Sequence, residues 1–168
     1  MENNQFVIGV IVSNISGVLS RVSGMFTRRG FNIDCLTVGE TESSGFSRIT
    51  VVFHGDNDIK ERIVRQLEKL HDVKEVEVLA PHETVIRELL LIKVRNTPAA
   101  RQDIMTAVEI FRSKIVDYSP NALTCELTGE TSKIDAFIEL MKPYGIMEMC
   151  RTGMVALSRG EICLQIDK

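Results

Sequence analysis

Residues 5–13 (QFVIGVIVS) form a short β-branched apolar run bounded by polar residues, which predicts a strand. Asn14-Ile15-Ser16-Gly17 follows as a helix-start signal with two candidate caps. Val18, Leu19, Val22, Met25 and Phe26 then share one helical face, and Gly30 marks the end of that helix. Residues 32–41 and 46–53 read as two strands joined by a Ser-Ser-Gly turn. Asp56 or Asp58 is placed to cap a second helix carrying Ile59, Ile63, Leu67 and Leu70, and residues 73–80 alternate as a half-buried strand should. The order is β-α-β-β-α-β.

The pattern then recurs. Pro81-His82-Glu83 reads as the centre of a linker, and residues 85–95 as a strand. Thr97-Pro98 opens a helix with Ile104, Val108 and Phe111 on one face, since proline is tolerated at a first helical position. Residues 114–118 and 122–129 suggest a strand pair around a Ser-Pro-Asn turn. Ile134, Phe137, Ile138 and Met141 mark another helix, ended near Pro143 and Gly145, and a last strand lies within 146–158. The predicted fold is α+β: two tandem ferredoxin-like βαββαβ units, at 5–79 and 85–160, joined by a linker at 80–84. The crossover rule places both helices of a unit on one face of an antiparallel sheet and leaves the other face to be covered. Two such small units argue for packing against each other or against another subunit.

Composition narrows the function. Of 168 residues, 44% are hydrophobic and 26% charged, as in an ordinary globular protein. The net charge is −3 and the two halves are similarly balanced, so no basic face announces nucleic acid. The four cysteines, Cys35, Cys125, Cys150 and Cys163, include no CxxC pair and read as reduced thiols of a cytoplasmic protein. The N-terminal MENNQFVIGVIVSN is not a signal peptide, and no apolar stretch reaches membrane-spanning length.

No catalytic constellation emerges. His54 and His71 fall at element ends and His82 in the linker; HExxH, GxSxG and P-loop motifs are lacking. Glu61 and Glu68 share a helix with Lys60, Arg62, Arg65 and Lys69, which describes a solvated face rather than an acid–base pair. An RNA-binding module is the alternative reading of a βαββαβ unit, because such domains stack bases on aromatics of the third element. Here Phe46 stands for the first aromatic, but Arg48 takes the place of the second.

The segment from Asn14 to Val22 carries the one site-like pattern. A helix start offers free N–H groups and a positive dipole end, to which a carboxylate is the natural guest. Gly17 leaves room for close approach, Asn14 offers a donor and an acceptor, and Ile15, Val18 and Leu19 supply an aliphatic wall. Together they describe a small aliphatic amino acid. The same loop also fits a plain capped helix in which Gly17 relieves crowding. Gly30-Phe31-Asn32-Ile33 opens the next strand, and in a symmetric dimer joined along that strand Asn32 of one subunit approaches Gly17 of the other.

NISGVLSRVSGMFTRRGFNIDCLTVGET, FSRITVVFHGD, VIRELLLIKV, EIFRSKIVD and RTGMVALSRG occur in order along nearly the whole chain. They resemble the small regulatory subunit of acetolactate synthase (acetohydroxyacid synthase), whose first domain is of the ACT class of amino-acid-binding modules. The resemblance implies a non-catalytic homodimer, with no cofactor of its own. Its partner would be the large catalytic subunit, carrying thiamine diphosphate, Mg2+ and FAD. The small subunit would activate that partner and confer feedback inhibition by valine or another branched-chain amino acid. The resemblance places effector-binding residues in the first strand-to-helix loop and at the start of the second strand, at Asn14, Gly17 and Asn32; with their neighbours Ile15, Ser16, Val18, Leu19 and Ile33 these make up the candidate effector site. The chain departs from the family at Ser13, where many relatives carry Glu, and at Cys35, where Ser is common; both bear on effector preference. In the second unit Asn96-Thr97-Pro98 is the counterpart loop, for which a structural and docking role is expected.

Overall fold

The computed structural model describes residues 4–164, which divide into two compact units: residues up to Val85 together with those from Met154 onward, and Ile86–Gly153. The first unit is built from β1 (Asn4–Ser13), α1 (Val18–Arg28), β2 (Cys35–Glu40), β3 (Phe46–Gly55), α2 (Asn57–Leu67) and β4 (Val73–Val78). All strand pairs are antiparallel, in the order β2-β3-β1-β4, so β1 is central and β2 lies at an edge.

Local chemistry sets the element ends. Gly30 adopts a positive φ of 70°, which lets Phe31 N–H reach back to Phe26 O (3.0 Å) and closes α1 as a glycine after a helix commonly does. Asp56, rather than Asp58, caps α2: its Oδ1 accepts Ile59 N–H at 2.8 Å. β2 is shorter than the expected 32–41, which leaves Asn32 and Ile33 in the connection that precedes it.

Ile8, Val10 and Val12 of β1 pack with Val18, Val22, Met25 and Phe26 of α1, Ile63 and Leu67 of α2, and Ile49, Val51 and Phe53 of β3. Each such side chain stabilises the fold by about 1.5–3 kcal/mol when fully buried. Leu19 does not join them; it is 41% exposed because it is turned from Val18 toward the helix flank, while the buried stripe runs through Val22, Met25 and Phe26.

Six consecutive residues of β1 are buried, so both faces of the sheet are covered. The second cover comes from the chain's own later segment, which includes β9 (Val155–Ser158). Met154 N–H donates to Cys35 Sγ (3.3 Å), Arg48 Nη2 to Ala156 O (3.0 Å), and Ser158 Oγ to Glu77 Oε1 (3.0 Å). Met154 and Ala156 are buried, as are Val7, Ile11 and Val52. Where the second domain was expected to run over 85–160, the compact units divide at Met154, from which the chain packs with the first unit. The single last strand expected within 146–158 is two, β8 (Ile146–Arg151) and β9.

The second unit repeats the topology. It holds most of β5 (Thr84–Arg95), then α3 (Arg101–Phe111), β6 (Lys114–Tyr118), β7 (Ala122–Gly129), α4 (Thr131–Met141) and β8, in the sheet order β6-β7-β5-β8. Leu90, Ile92 and Val94 pack against Ile104, Val108, Ile134, Phe137 and Met141. α3 begins later than Thr97-Pro98: Thr97 closes a preceding turn, its Oγ1 accepting Ala100 N–H and its carbonyl accepting Arg101 N–H.

Candidate functional site

The loop from β1 to α1 is anchored at its base and open at its tip. Ser13 N–H donates to Asp72 O and Asn14 N–H to Gly45 O, each at 2.8 Å. Gly17 sits at the N-cap with φ 85° and ψ −5°, a left-handed conformation costly to a residue with a Cβ. α1 has no side-chain cap and no acidic residue in its first turn. The first helical N–H to find an i−4 carbonyl is that of Arg21, bonded to Gly17 O at 3.1 Å. The N–H groups of Leu19 and Ser20 meet no acceptor among the described residues. α2, by contrast, carries its own carboxylates at Asp56 and Asp58.

Ile15 (54% exposed) and Leu19 flank this tip as an unburied apolar rim. Ser16 is exposed beside them. Of the other candidate residues, Val18, expected in the wall, is buried in the core, and Ile33 packs against that core from the α1–β2 connection.

Arg21 was not foreseen. A Cβ on Gly17 would lie 3.2 Å from Arg21 Nη1, so a guanidinium stands beside the open tip. Its Nε donates to Asp72 Oδ2 at 2.6 Å, which holds it there. The signal in the sequence was spacing: residues four apart share a helical face.

Asn14 Nδ2 donates to Glu40 Oε1 (2.9 Å) and to Ser44 O (3.2 Å). Asn32 Nδ2 donates to Asp34 Oδ1 (2.9 Å), and Asp34 Oδ2 in turn meets His54 Nδ1 at 2.7 Å. The two asparagines do not meet within one chain. Cys35 pairs with Val52, and Val52 with Val7; Glu40 pairs with Ser47, and Ser47 with Val12. The two ends of β2 are thus about 16 Å apart along the sheet, with Asn32 beyond one and Asn14 beyond the other.

The sheet face on which an RNA-binding module would stack bases carries Arg48 bound to Ala156 O. Burial pushes the Arg48 pKa down against the opposing pull of Glu77 and Glu42. A cavity of about 500 Å3 on this face is lined by Ile11, Glu40, Arg48, Leu157 and Ile162, among others. Among the described residues no group of three or more His, Cys, Asp or Glu side chains is arranged to hold a metal ion, and no helix is long and apolar enough to cross a membrane.

The chain thus consists of tandem ferredoxin-like units, the first with a bare helix tip after its opening strand. Residues 8–75 match the AHAS small subunit-like ACT domain, and residues 87–160 match the family described as the small subunit of acetolactate synthase. The chain is 49% identical over 161 residues to a probable acetolactate synthase small subunit of Methanothermobacter thermautotrophicus, covering 95% of this chain and 96% of that one. It is 47% identical over 156 residues to the acetolactate synthase small subunit of Bacillus subtilis, covering 92% and 90%. The crystal structure of the acetolactate synthase small subunit from Thermotoga maritima superposes with a TM-score of 0.89 at 40% identity, over 95% of this chain and 99% of that one. The chain belongs to the family of acetolactate synthase small subunits.

Proposed function

We propose that this chain is the regulatory subunit of an acetolactate synthase. It carries no chemistry itself, acts in the cytoplasm, and docks on a large catalytic subunit that holds thiamine diphosphate, Mg2+ and FAD. It raises that subunit's activity and transmits feedback inhibition by valine or another branched-chain amino acid. The similarity along the whole chain to named small subunits supports the partnership. The observation that carries the sensing role is the uncapped tip of α1 at Gly17, with Arg21 beside it and an apolar rim of Ile15 and Leu19.

In this reading two chains pair antiparallel along their β2 edges. A two-fold axis through the middle of β2 brings residue 35 of one chain opposite residue 40 of the other, so Asn32 of the partner arrives near Glu40 and Asn14. The effector carboxylate sits on the tip of α1, its ammonium lies between the two asparagines, and its side chain fills an apolar pocket worth about 1.5–3 kcal/mol. Because each site spans two chains, effector binding biases the dimer and through it the catalytic subunit, with a coupling of about 1–3 kcal/mol.

Gly17→Asp tests the site. The left-handed backbone strains, and the new carboxylate pairs with Arg21 and fills the tip. In the reconstituted holoenzyme activation is expected to persist while feedback inhibition disappears. Retained inhibition would count decisively against the site. Valine, isoleucine and leucine differ by about 1–3 kcal/mol in a pocket of this kind, and calorimetry of the full chain with all three ranks them.

A further inference from the structure

An asparagine side chain has a donor end and an acceptor end, and the neighbours decide which way it faces. The two neighbours of Asn14 Nδ2, Glu40 Oε1 and Ser44 O, only accept hydrogen bonds. The amide is therefore locked with Nδ2 inward, and Asn14 Oδ1 meets no donor among the described residues. Asn32 is locked in the same sense by Asp34 Oδ1. Asp34 is itself held on both sides, by His54 Nδ1 at its other carboxylate oxygen and by its own N–H on Val52 O (2.9 Å). Asn14 thus offers only an acceptor, Asn32 turns its Oδ1 away from Asp34, and each has a carboxylate behind it.

We propose that Glu40 and Asp34 are positioning residues: they turn Asn14 and Asn32 so that the site accepts only a ligand with an α-ammonium group and rejects the 2-oxo acid of the same side chain. This rests on the effector site proposed above. An ammonium brings donors alone and is drawn by the two carboxylates. A 2-oxo group brings acceptors alone and meets Asn14 Oδ1 and the two carboxylates, which can only accept. The distinction has a use, because an amino acid and the 2-oxo acid of the same side chain differ only at the α-carbon. A sensor that read only carboxylate and side chain would respond to both pools.

The test is calorimetry of the full-length chain with L-valine, L-isoleucine and L-leucine, and with the 2-oxo acid matching each. The proteins are wild type, Glu40→Gln, Asp34→Asn and Gly17→Asp. In Glu40→Gln and Asp34→Asn the replacement side chain can donate as well as accept, so the neighbouring amide is free to turn over. Wild type is expected to bind at least one amino acid and to bind its oxo acid at least about a hundredfold more weakly. Each amide variant is expected to lose roughly tenfold in amino-acid affinity, with oxo-acid binding unchanged or tighter, so that the ratio collapses. If both ligand classes weaken in parallel, or neither changes while Gly17→Asp abolishes binding, the positioning role is overturned and the effector site stands. A change in one variant alone overturns the role of the other residue. If wild type binds none of the ligands, or Gly17→Asp binds as wild type does, the effector-site reading fails and takes this one with it.

Discussion

Arg21 donates from Nε to Asp72 Oδ2 across 2.6 Å, and this pair ties the first turn of α1 to the turn that precedes β4. The carbonyl of Asp72 also accepts Ser13 N–H, so one residue braces both the end of β1 and the arginine beside Gly17. Arg21 is about half exposed, so the ion pair contributes at most about 1 kcal/mol to folding. Its larger effect is to hold a guanidinium in place. Asp72→Asn is therefore expected to shift thermal stability little while weakening effector binding by roughly fivefold. Calorimetry and a melting curve on the same preparation check both halves of that expectation.

The Glu88–Arg151 pair behaves differently because Glu88 is buried. Arg151 Nη2 reaches Glu88 Oε2 at 2.6 Å and Nε reaches it at 3.1 Å, Thr131 Oγ1 donates to Glu88 Oε1, and Asp135 takes Arg151 Nη1 at 2.8 Å. Burial works against the Arg151 charge, but Glu88 and Asp135 outweigh it and raise the Arg151 pKa. Arg151→Ala strands a buried carboxylate and is expected to cost about 3–5 kcal/mol in denaturant unfolding. Removing both charges, as Glu88→Leu with Arg151→Met, is expected to cost much less.

Cys125 provides a pH signature. It lies in the core of the second unit, where burial pushes its thiol pKa from 9.0 to about 11, against a smaller opposing effect of Ser113. The unfolded chain ionises this thiol near pH 9 while the folded chain keeps it protonated. The stabilisation is fully present below pH 9 and is lost as pH rises from about 9 to about 11, by roughly 2–3 kcal/mol. Cys125→Ala should flatten that loss in denaturant titrations. At pH 8 a disulfide reagent should reach the exposed Cys150 and Cys163 quickly and Cys125 only on unfolding.

The apolar periodicities located α1, α2, α3 and α4 and the central strands because burial on one face leaves a record in residue spacing. The segment from Met154 onward left a weaker record. Val155 and Leu157 alternate with the buried Met154 and Ala156, but nothing local says that this segment meets Cys35 and Arg48, more than a hundred residues earlier. The candidate site was partly readable for a similar reason. The helix start at Gly17 was legible from residue type and position, whereas Val18 and Leu19, expected to share one face, part into a buried and an exposed residue because the outward and inward sides of a first helical turn are fixed only by tertiary packing. Arg21 and Asp72 came together through a contact between residues fifty-one apart.

The cover over the first sheet gives a further test. A Cβ on Gly9 would lie 2.9 Å from both Arg48 Nη2 and Leu164 Cδ1. Gly9→Val is thus expected to push Arg48 off Ala156 O and loosen residues 154–164, leaving the helices in place. Arg48→Met should act in the same direction by removing the donor. Limited proteolysis would then cut within 159–164 sooner than in wild type, with far-ultraviolet dichroism unchanged.

The second unit carries the counterpart of the α1 loop, and there the polar groups are already spent. Asn96 is only 3% exposed. Its Nδ2 donates to Ser119 O (2.8 Å), its Oδ1 accepts Arg101 Nε (3.0 Å), and its N–H donates to Asn121 O (3.0 Å). Arg101, the first residue of α3, lies over the ring of Tyr118 at 5.9 Å. A ligand amide or carboxylate would have to displace one of these bonds without a better one to offer. Asn96→Ala is accordingly expected to destabilise the fold by about 1–3 kcal/mol by orphaning buried groups, with no change in effector affinity or stoichiometry. Calorimetric titration of that variant should still report a single class of site, lost on adding Gly17→Asp. A second class of site that disappears with Asn96→Ala would show that this loop binds a ligand after all.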